Sequence, residues 1–559
     1  MTAILAEKPL LAALTLREAW RRLRRHLHVS APFAPSVPAA LTVLPPSLRA
    51  GRAAQAEAIY LGTFSFADET IATGRDGVFR ARGVSLAAQA ELHAFEWLAH
   101  HAAAGHALAS QNARSLVDDW IALGRQARRG PANEPDVAAR RFIAWLAHAD
   151  IVLREGDLAF YRRFMRSLAA QARHLRRALH EAPEGLARLR VLMALAYASL
   201  CLPSTVLRIR GAAQELGEEL DRQIFPDGGH VSRDPSALVA ILADLLPLRE
   251  TYVGQGQPVP KGIYSAIDRM LPAIRFFRHG DGTLALFNGA GVCDTALVDD
   301  LVRFDETLGE PIVHARQSGY HRLAAGAARL VCDTGCPPPA AVSGRAHAGT
   351  LAFEFSCGPE RLVVNCGRPL TGSGDWRRLS RATAAHSTLT LADHSSARFS
   401  GSPTLDRFLG SPLVSGPSQV AVEEEGHNGL AVTATHDGYE RTFGVLHERC
   451  LEMARDGSAL FGRDRLLRGL AAAHQPALKA RQATLRFHLH PRVDTRRTGH
   501  GFELTVGDQR WLFDCDQPSE VEDSVFFALE RGPRRTRQIV VSFEAGHPDG
   551  AAWRFERLR

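Results

Sequence analysis

The hydrophobic pattern divides the chain into two halves. From Ser85 onward, apolar residues recur at helical spacing in runs of about three turns or more, separated by Gly, Pro or Asp. The residues that define these runs are Leu92, Phe95, Trp97, Leu98, Leu116, Trp120, Leu123, Phe142, Trp145, Leu146, Leu158, Tyr161, Phe164, Met165, Leu168, Leu189, Leu192, Leu195 and Tyr197. This rhythm predicts an array of helical hairpins whose aromatic residues lie in the core.

The second half has the short alternating runs that are typical of strands. A first run begins at residues 318–323, and the dipeptides Asp456-Gly457 and Gly507-Asp508 separate later pairs of runs as hairpin turns would. Further runs at 539–543 and 553–555 close the chain. Regular short strands after helical hairpins predict an α+β multidomain protein, with a C-terminal antiparallel β-sandwich.

A length of 559 residues also indicates more than one domain. We expect a basic N-terminal helix and a Pro-rich connector at 1–50, a helical domain at 51–310 and a β-sandwich at 311–559. The first helix is amphipathic and basic, so we expect it to contact a membrane surface or to cap the domain. Its arginines follow its apolar patch, which is the reverse of a secretory signal, and no run is long enough for a membrane helix. We therefore predict that the protein is not an integral membrane protein, and a cytoplasmic location stays open.

Charge and cysteine content limit the classes of ligand that the protein is expected to bind. The net charge is +7, and all but three of the 67 basic residues are Arg, which suits bidentate contacts with carboxylate or sulfate groups but is also explained by GC-rich coding. This balance permits an acidic substrate. A nucleic-acid partner is disfavoured because no long basic run alternates with aromatic residues. The eight cysteines form no Cys-x-x-Cys pair, so we expect mostly free thiols.

Two segments, residues 345–355 and 381–391, each place one histidine at the start of an alternating run. These are His347 and His386, and a third run at 360–367 ends in a Gly turn between them. Such histidines commonly hydrogen-bond to nearby backbone, but at the mouth of a strand they can also project into a cleft. His488 and His490 share one face of another run; they could chelate a metal, but we expect them on its solvent side.

A turn at residues 225–235 interrupts the helical pattern. Its Asp-Gly-Gly sequence requires tight backbone geometry, and Pro235 opens a new helix. His230 and Arg233 would then lie beside a helix N-terminus, which suits an anion. In the alternative, Asp234 caps the helix and Arg233 is solvated. Tyr252 lies just downstream and could reach the same rim.

Together these segments resemble the heparinase II/III-like family of polysaccharide lyases. The resemblance rests on residues 347–353, Asn365-Cys366-Gly367, residues 381–388 and the turn at 225–235, and it covers the chain from about residue 85 to the C-terminus. It implies an N-terminal (α/α) toroid, a C-terminal β-sandwich and a site in the cleft between them. It also implies a location in the cell envelope, usually the periplasm.

The resemblance further implies a lyase that cleaves a uronic-acid polysaccharide by β-elimination. Such an enzyme must neutralise the carboxylate, remove the proton α to it and protonate the leaving oxygen. The implied catalytic residues are His347, His230 and Tyr320. The implied substrate-binding residues are Arg233, Tyr252, Arg381 and His386.

Several positions depart from the family pattern. Ala237 and Leu238 stand where the family has a catalytic Tyr, and residues 188–202 lack its upstream Asn. The family's structural zinc site corresponds to Gly349, Asn365 and His386, so we expect no zinc and no other cofactor. Two hypotheses remain: a lyase with a variant site, or a catalytically inactive carbohydrate-binding homologue. A glycoside hydrolase would need two facing carboxylates, and Glu354 has no evident partner.

Overall fold

The computed structural model describes residues 2–27, 37–66, 69–74, 76–124, 130–304, 311–370, 374–425, 430–469 and 481–558. Contacts divide the chain into two compact units. The β unit comprises Met1–Thr15, Phe225–Leu238 and Arg269–Arg559, and the helical unit comprises Leu16–Ile224 and Val239–Asp268. The domain boundaries expected at residues 50 and 310 remain predictions, because compact units and family domains need not share their limits.

Helices dominate the chain up to about residue 302, as the spacing predicted. They are α1 (Thr2–Leu27), α2 (Ala53–Tyr60), α3 (Leu86–Ala94), α4 (Leu98–Ala104), α5 (Ala107–Ala122), α6 (Pro135–Ala147), α7 (Ala149–Leu153), α8 (Leu158–Ala178), α9 (Leu186–Cys201), α10 (Val206–Gln223), α11 (Pro235–Gly254), α12 (Lys261–Phe277) and α13 (Thr295–Val302). Later in the chain come the short helices α14 (Gly374–Leu379), α15 (Pro403–Leu409) and α16 (Glu440–Phe443). In the described part of the chain, no helix has both the length and the hydrophobicity that crossing a bilayer requires.

The aromatic residues of the helical runs form a core, as predicted. Trp120 and Trp145 are fully buried and meet edge to face with ring centroids 5.4 Å apart. Phe95 packs against both rings, but it does not continue a helix, because its φ of 60° ends α3 in the left-handed region. One predicted helical run is therefore two short helices joined at Phe95.

The C-terminal half is antiparallel β structure. After a hairpin of β1 (Thr63–Phe66) and β2 (Glu69–Ala72), the strands are β3 (His314–Ala315), β4 (Tyr320–Ala325), β5 (Ala328–Asp333), β6 (Phe353–Cys357), β7 (Glu360–Val364), β8 (Leu389–Leu391), β9 (Arg398–Phe399), β10 (Leu413–Ser415), β11 (Val420–Glu425), β12 (Ala431–His436), β13 (Val445–Met453), β14 (Ala459–Arg468), β15 (Gln482–Leu489), β16 (Asp494–Thr498), β17 (Gly501–Val506), β18 (Gln509–Cys515), β19 (Ser519–Phe526), β20 (Arg534–Glu544) and β21 (Ala551–Leu558).

Two large sheets form the sandwich within the β unit. Among the described residues, one sheet has eight strands in the order β11-β12-β13-β14-β21-β18-β17-β16. The other has nine, in the order β19-β20-β15-β7-β6-β5-β4-β3, with β8 also paired to β15. Side chains from both sheets, such as Phe355 and Trp511, share one apolar core, so the predicted sandwich is confirmed. Both predicted hairpins, β13–β14 and β17–β18, are present.

Two local predictions were wrong. The strand expected from residue 345 begins only at Phe353, because turns occupy the preceding residues. His488 is buried rather than solvent-facing: its Nε2 donates to the Ala384 carbonyl at 3.0 Å, and its Nδ1 accepts from Ser524 Oγ at 2.7 Å.

A buried charged cluster lies at the centre of the sandwich. Asp464 on β14 accepts two hydrogen bonds from Arg449 on β13, at 2.8 and 3.1 Å, and one from Trp553 Nε1 at 2.9 Å. His447 Nε2 lies 2.7 Å from the same carboxylate. Burial alone would raise the pKa of Asp464, but the Arg449 charge and these hydrogen bonds lower it to about 2. The carboxylate is therefore ionised at neutral pH.

We predict that Asp464→Asn destabilises the β unit by about 3–5 kcal/mol, because it leaves the Arg449 guanidinium buried without its counter-charge. Thermal unfolding followed by circular dichroism measures the loss. Asp456→Asn is the matched control, since Asp456 is exposed in the β13–β14 turn and an amide oxygen can still accept from Ser458. Equal melting temperatures for the two variants would contradict the prediction.

Candidate functional site

Two loops of the β unit bring His347 and His386 together, a contact that the sequence did not predict. His347 lies in the turns before β6, and His386 follows a 3-10 helix, Thr383–Ala385. Both side chains are buried, and His386 Nε2 lies 2.9 Å from His347 Nδ1. The other ring nitrogen of His386, Nδ1, lies 2.8 Å from the carbonyl oxygen of Ala382.

These contacts fix the tautomer of each neutral ring. A carbonyl oxygen only accepts, so His386 Nδ1 carries the hydrogen and its Nε2 accepts. His347 Nδ1 must therefore donate, which leaves His347 Nε2 with an unprotonated lone pair. That nitrogen is buried and has no hydrogen-bond partner among the described residues. The arrangement presents one unpaired imidazole base.

The surroundings keep both rings neutral. Burial lowers the pKa of His386 to about 4. Burial also lowers the pKa of His347 well below its ordinary value, and the neighbouring His386, Arg381 and Arg368 lower it further. At neutral pH the free nitrogen of His347 is therefore a base rather than a cation.

Arg381 braces the loop that carries His347. Its guanidinium donates to the carbonyl oxygens of Ala346 at 2.7 Å, Ser343 at 2.9 Å and Ser411 at 2.9 Å. It also stacks 4.2 Å from the ring of Phe399, and burial lowers its pKa to about 10. These contacts give Arg381 a positioning task, and its predicted role in substrate binding remains a prediction.

Arg233 also lies among backbone carbonyls. It belongs to the β unit, has a φ of 60° and donates to the carbonyl oxygens of Ser318, Gly319, Gly335 and Cys336. Its charge pairs with Asp333 at 2.6 Å. The guanidinium is neither solvated nor open to an anion in this arrangement, so its substrate-binding role has no support from these contacts and stays a prediction.

The Tyr320 hydroxyl is occupied by two hydrogen bonds. It donates to the Arg233 carbonyl at 2.5 Å and accepts from Asn288 Nδ2 at 2.8 Å. Burial raises the pKa of Tyr320 far above its ordinary value. Asn288 also donates to Asp333 at 3.1 Å, and its Oδ1 accepts from the backbone N–H of His347 at 3.3 Å. Tyr320 thus reaches the His347 loop through Asn288 rather than directly.

The two remaining predicted residues are His230 and Tyr252, and both are buried. His230 is buried in the 225–235 turn, where its Nδ1 accepts from the Ser232 backbone N–H at 3.1 Å and burial lowers its pKa to about 4. The turn is tight because a Cβ at Gly228, where φ is +82°, would meet the Arg269 carbonyl at 1.9 Å. Tyr252 is buried in the helical unit. Their catalytic and binding roles remain predictions.

The residues at the family's zinc positions do not suit that ion. His386 uses both ring nitrogens, and Asn365 Oδ1 accepts from the Ser387 backbone N–H at 3.0 Å. A Cβ at Gly349 would lie only 3.0 Å from the His386 ring, so this position supplies neither a ligand nor room for one. In the described part of the chain, no group of three or more His, Cys, Asp or Glu side chains could hold a metal.

A cationic rim lies near His347 that the sequence did not reveal. Arg368 donates from its backbone N–H to Ala290 at 3.0 Å and from Nε to Gly289 at 2.9 Å, and its charge acts on His347. Gly289 packs closely against two other residues of the rim, the exposed Arg345 and the buried Asp234. A Cβ added to Gly289 would lie only 2.9 Å from Arg345 Cβ and 3.2 Å from Asp234 Oδ2.

One signal could have pointed to this rim: the sequence Asn288-Gly289-Ala290-Gly291 directly follows an apolar run. Glycines at such a position commonly mark close approach of another segment. Asp333, which pairs with Arg233, directly follows Cys332, and no local sequence pattern marks it as a site residue.

Known proteins share both halves of this architecture. A family model described as heparinase II/III-like, C-terminal, matches residues 307–555. FtsZ-localized protein C of Caulobacter vibrioides (strain NA1000 / CB15N) is 30% identical over 540 residues, covering 93% of this chain and 90% of that protein.

Two solved structures show the same fold. A structure of heparinase III has a TM-score of 0.69 at 14% identity, covering 97% of this chain and 89% of that one. The heparan sulfate lyase HepC from Pedobacter heparinus has a TM-score of 0.57 at 15% identity, covering 99% and 88%. These two likenesses establish the fold, with its helical N-terminal region and antiparallel β domain. With the family model and the 30% identical full-length relative, they show that this chain belongs to the heparinase II/III-like family.

Proposed function

We propose that this protein cleaves an acidic, uronate-containing polysaccharide by β-elimination, with His347 Nε2 as the base. The observation that carries this proposal is the unpaired lone pair on His347, which the His386 contact and the Ala382 carbonyl fix in place. A general base needs such a lone pair at the operating pH. The ring is only 3% exposed, so a substrate must uncover it on binding.

A single residue, His347, can carry out both proton transfers of the elimination. Its Nε2 takes the proton α to the carboxylate, and the electron pair of that C–H bond forms the new double bond. The bond to the glycosidic oxygen breaks, and the leaving oxygen takes the same proton back from His347 Nε2. A separate acid is then unnecessary, which accounts for apolar Ala237 and Leu238 at the family's Tyr position and for the occupied Tyr320 hydroxyl.

The cationic rim would neutralise the substrate carboxylate. Arg345 is exposed and Arg368 is half-buried, and both also act on the buried Asp234 carboxylate, so a substrate anion would share their positive charge with Asp234. A polyanion would also be attracted by the overall charge of +7. In this proposal His386 and Arg381 position the base, and the cell envelope is the compartment where such a polymer would be met.

We predict that His347→Ala lowers elimination by about 10²-fold or more, because no other described group replaces its lone pair. The assay follows the ultraviolet absorbance of the unsaturated uronate across a panel of uronic-acid polysaccharides. His500→Ala is the control, since His500 is exposed in the turn between β16 and β17. Activity that survives in His347→Ala would refute the assignment, and an inactive wild-type protein on every polymer would refute the lyase.

The neutral state of the buried histidines can be tested without a substrate. Burial lowers the pKa of His386 and His230 to about 4 and of His488 to about 3, whereas an unfolded histidine titrates at about 6.5. The unfolded chain therefore binds more protons between about pH 6.5 and 4. We predict that stability falls as the pH is lowered through this window, by up to about 1.4 kcal/mol per pH unit for each such histidine.

Urea unfolding at a series of pH values measures this slope. A protein carrying His347→Gln and His386→Gln should show a shallower slope than wild type, because two depressed titrations are removed. His500→Gln should retain the full slope, since that side chain is exposed. Identical slopes for all three proteins would show that the histidine pair is not held neutral.

A second candidate function is a non-catalytic role at the place in the cell where FtsZ is found. The observation that favours it is the 30% identity with FtsZ-localized protein C over 93% of this chain, which is about double the identity with the lyase structures. A homologue of this kind could bind carbohydrate without cleaving it, because fold does not imply activity. The replaced Tyr position agrees with this candidate too.

We predict that, under this candidate, a fluorescent fusion colocalises with FtsZ in the same cells, and that His347→Ala leaves the pattern unchanged. The expected result follows because localisation would depend on surface contacts rather than on a buried lone pair. The control is the same fluorophore expressed without this protein. A diffuse signal for the wild-type fusion would exclude the FtsZ-linked role, and a pattern lost only in His347→Ala would tie localisation to the site.

A further inference from the structure

The first helix, α1, carries an apolar stripe on its outward face. Leu16, Trp20 and Leu23 recur at intervals of four and three residues, so they lie on one side of the helix. They are 72%, 54% and 46% exposed. Large apolar side chains are rarely grouped on a water-facing helix surface without a binding function.

The opposite side of the helix is the less exposed one. Leu11, Leu14, Thr15, Glu18 and Arg21 all have intermediate exposure, and they share the face that lies away from the stripe. The helix therefore has two distinct faces: a partly covered face, and an apolar face that is exposed to solvent.

Cationic side chains flank the stripe. Lys8 and Arg17 lie on either side of it and are exposed, and Arg17 pairs with the exposed Glu184. The sequence from Thr2 to Leu27 contains six basic and two acidic residues. Within residues 8–23, whose side chains the structure describes, the only acidic residue is Glu18 on the less exposed face. It pairs with Arg22 at 2.9 Å and with Arg21 at 3.3 Å. Exposed ion pairs of this kind are weak, so lipid phosphates can replace the carboxylate.

We propose that α1 binds the surface of a membrane rich in anionic phospholipids, with Leu16, Trp20 and Leu23 inserted at the headgroup boundary. A stripe of Leu and Trp with basic flanks and low overall hydrophobicity is the pattern of an interfacial helix. Trp is favoured at that depth, and the basic residues gain from the negative surface potential. A second copy of the chain is a poorer occupant, because it would bring two basic helices together. This inference does not depend on the proposed lyase chemistry.

The test is co-sedimentation of the full chain with vesicles of phosphatidylglycerol and phosphatidylcholine. Wild type should bind these vesicles, and binding should weaken as salt is raised and on pure phosphatidylcholine. The combined variant Leu16→Glu, Trp20→Glu and Leu23→Glu should lose about tenfold or more in partitioning. A matched control carries Leu61→Glu and Leu207→Glu, which change residues that are 74% and 79% exposed on other elements, and it should bind as wild type does.

A second measurement guards against misfolding of the triple variant. Brominated lipids should quench the fluorescence of wild type more than that of Trp20→Phe, which keeps an apolar ring in the stripe. Equal quenching, equal binding of the triple variant, or equal binding to neutral vesicles would each overturn the proposal. One further result would overturn it. If wild type binds no vesicles but self-associates, and the triple variant does not self-associate, then the stripe is a contact between copies of the chain.

Discussion

The candidate site depends on one buried guanidinium. Arg449 pairs with Asp464 inside the sandwich, and its remaining Nη1 donates to the carbonyl oxygens of Leu351 at 2.6 Å and Ser387 at 2.8 Å. Leu351 lies four residues after His347, and Ser387 directly follows His386. A single side chain therefore ties both histidine loops to the sheets, and Asp464 keeps it charged and oriented. Removing the carboxylate would disturb the loops as well as the core.

The same principle recurs with Arg381 and Arg233. Each of these buried arginines satisfies several backbone carbonyls that belong to loops rather than to strand ladders. Irregular backbone inside a protein needs such partners, because unpaired carbonyl groups are costly to bury. Arg suits the task since its planar guanidinium offers five donors. The Arg-rich composition thus has structural uses that its net charge does not reveal.

Periodicity was enough to predict the helical half, the sandwich and the two hairpins, because apolar spacing determines which face of an element is buried. It also brought His347 and His386 to notice. It could not predict that residues 345–352 form turns, since the loop is held by Arg381 and Arg449 from distant segments. Nor could it show that Arg233 and Tyr320 are occupied by hydrogen bonds. Such long-range polar contacts leave no local pattern in a sequence.

A purely structural role explains His386 better than it explains His347. Both nitrogens of His386 are hydrogen-bonded, so its burial is compensated. His347 Nε2 is buried with no partner among the described residues, a state that costs about 1–3 kcal/mol and that an apolar residue of similar size would avoid. Such uncompensated groups persist where a ligand or a reaction uses them. The loss of the family's Tyr is therefore weaker evidence against activity than the retained lone pair is evidence for it.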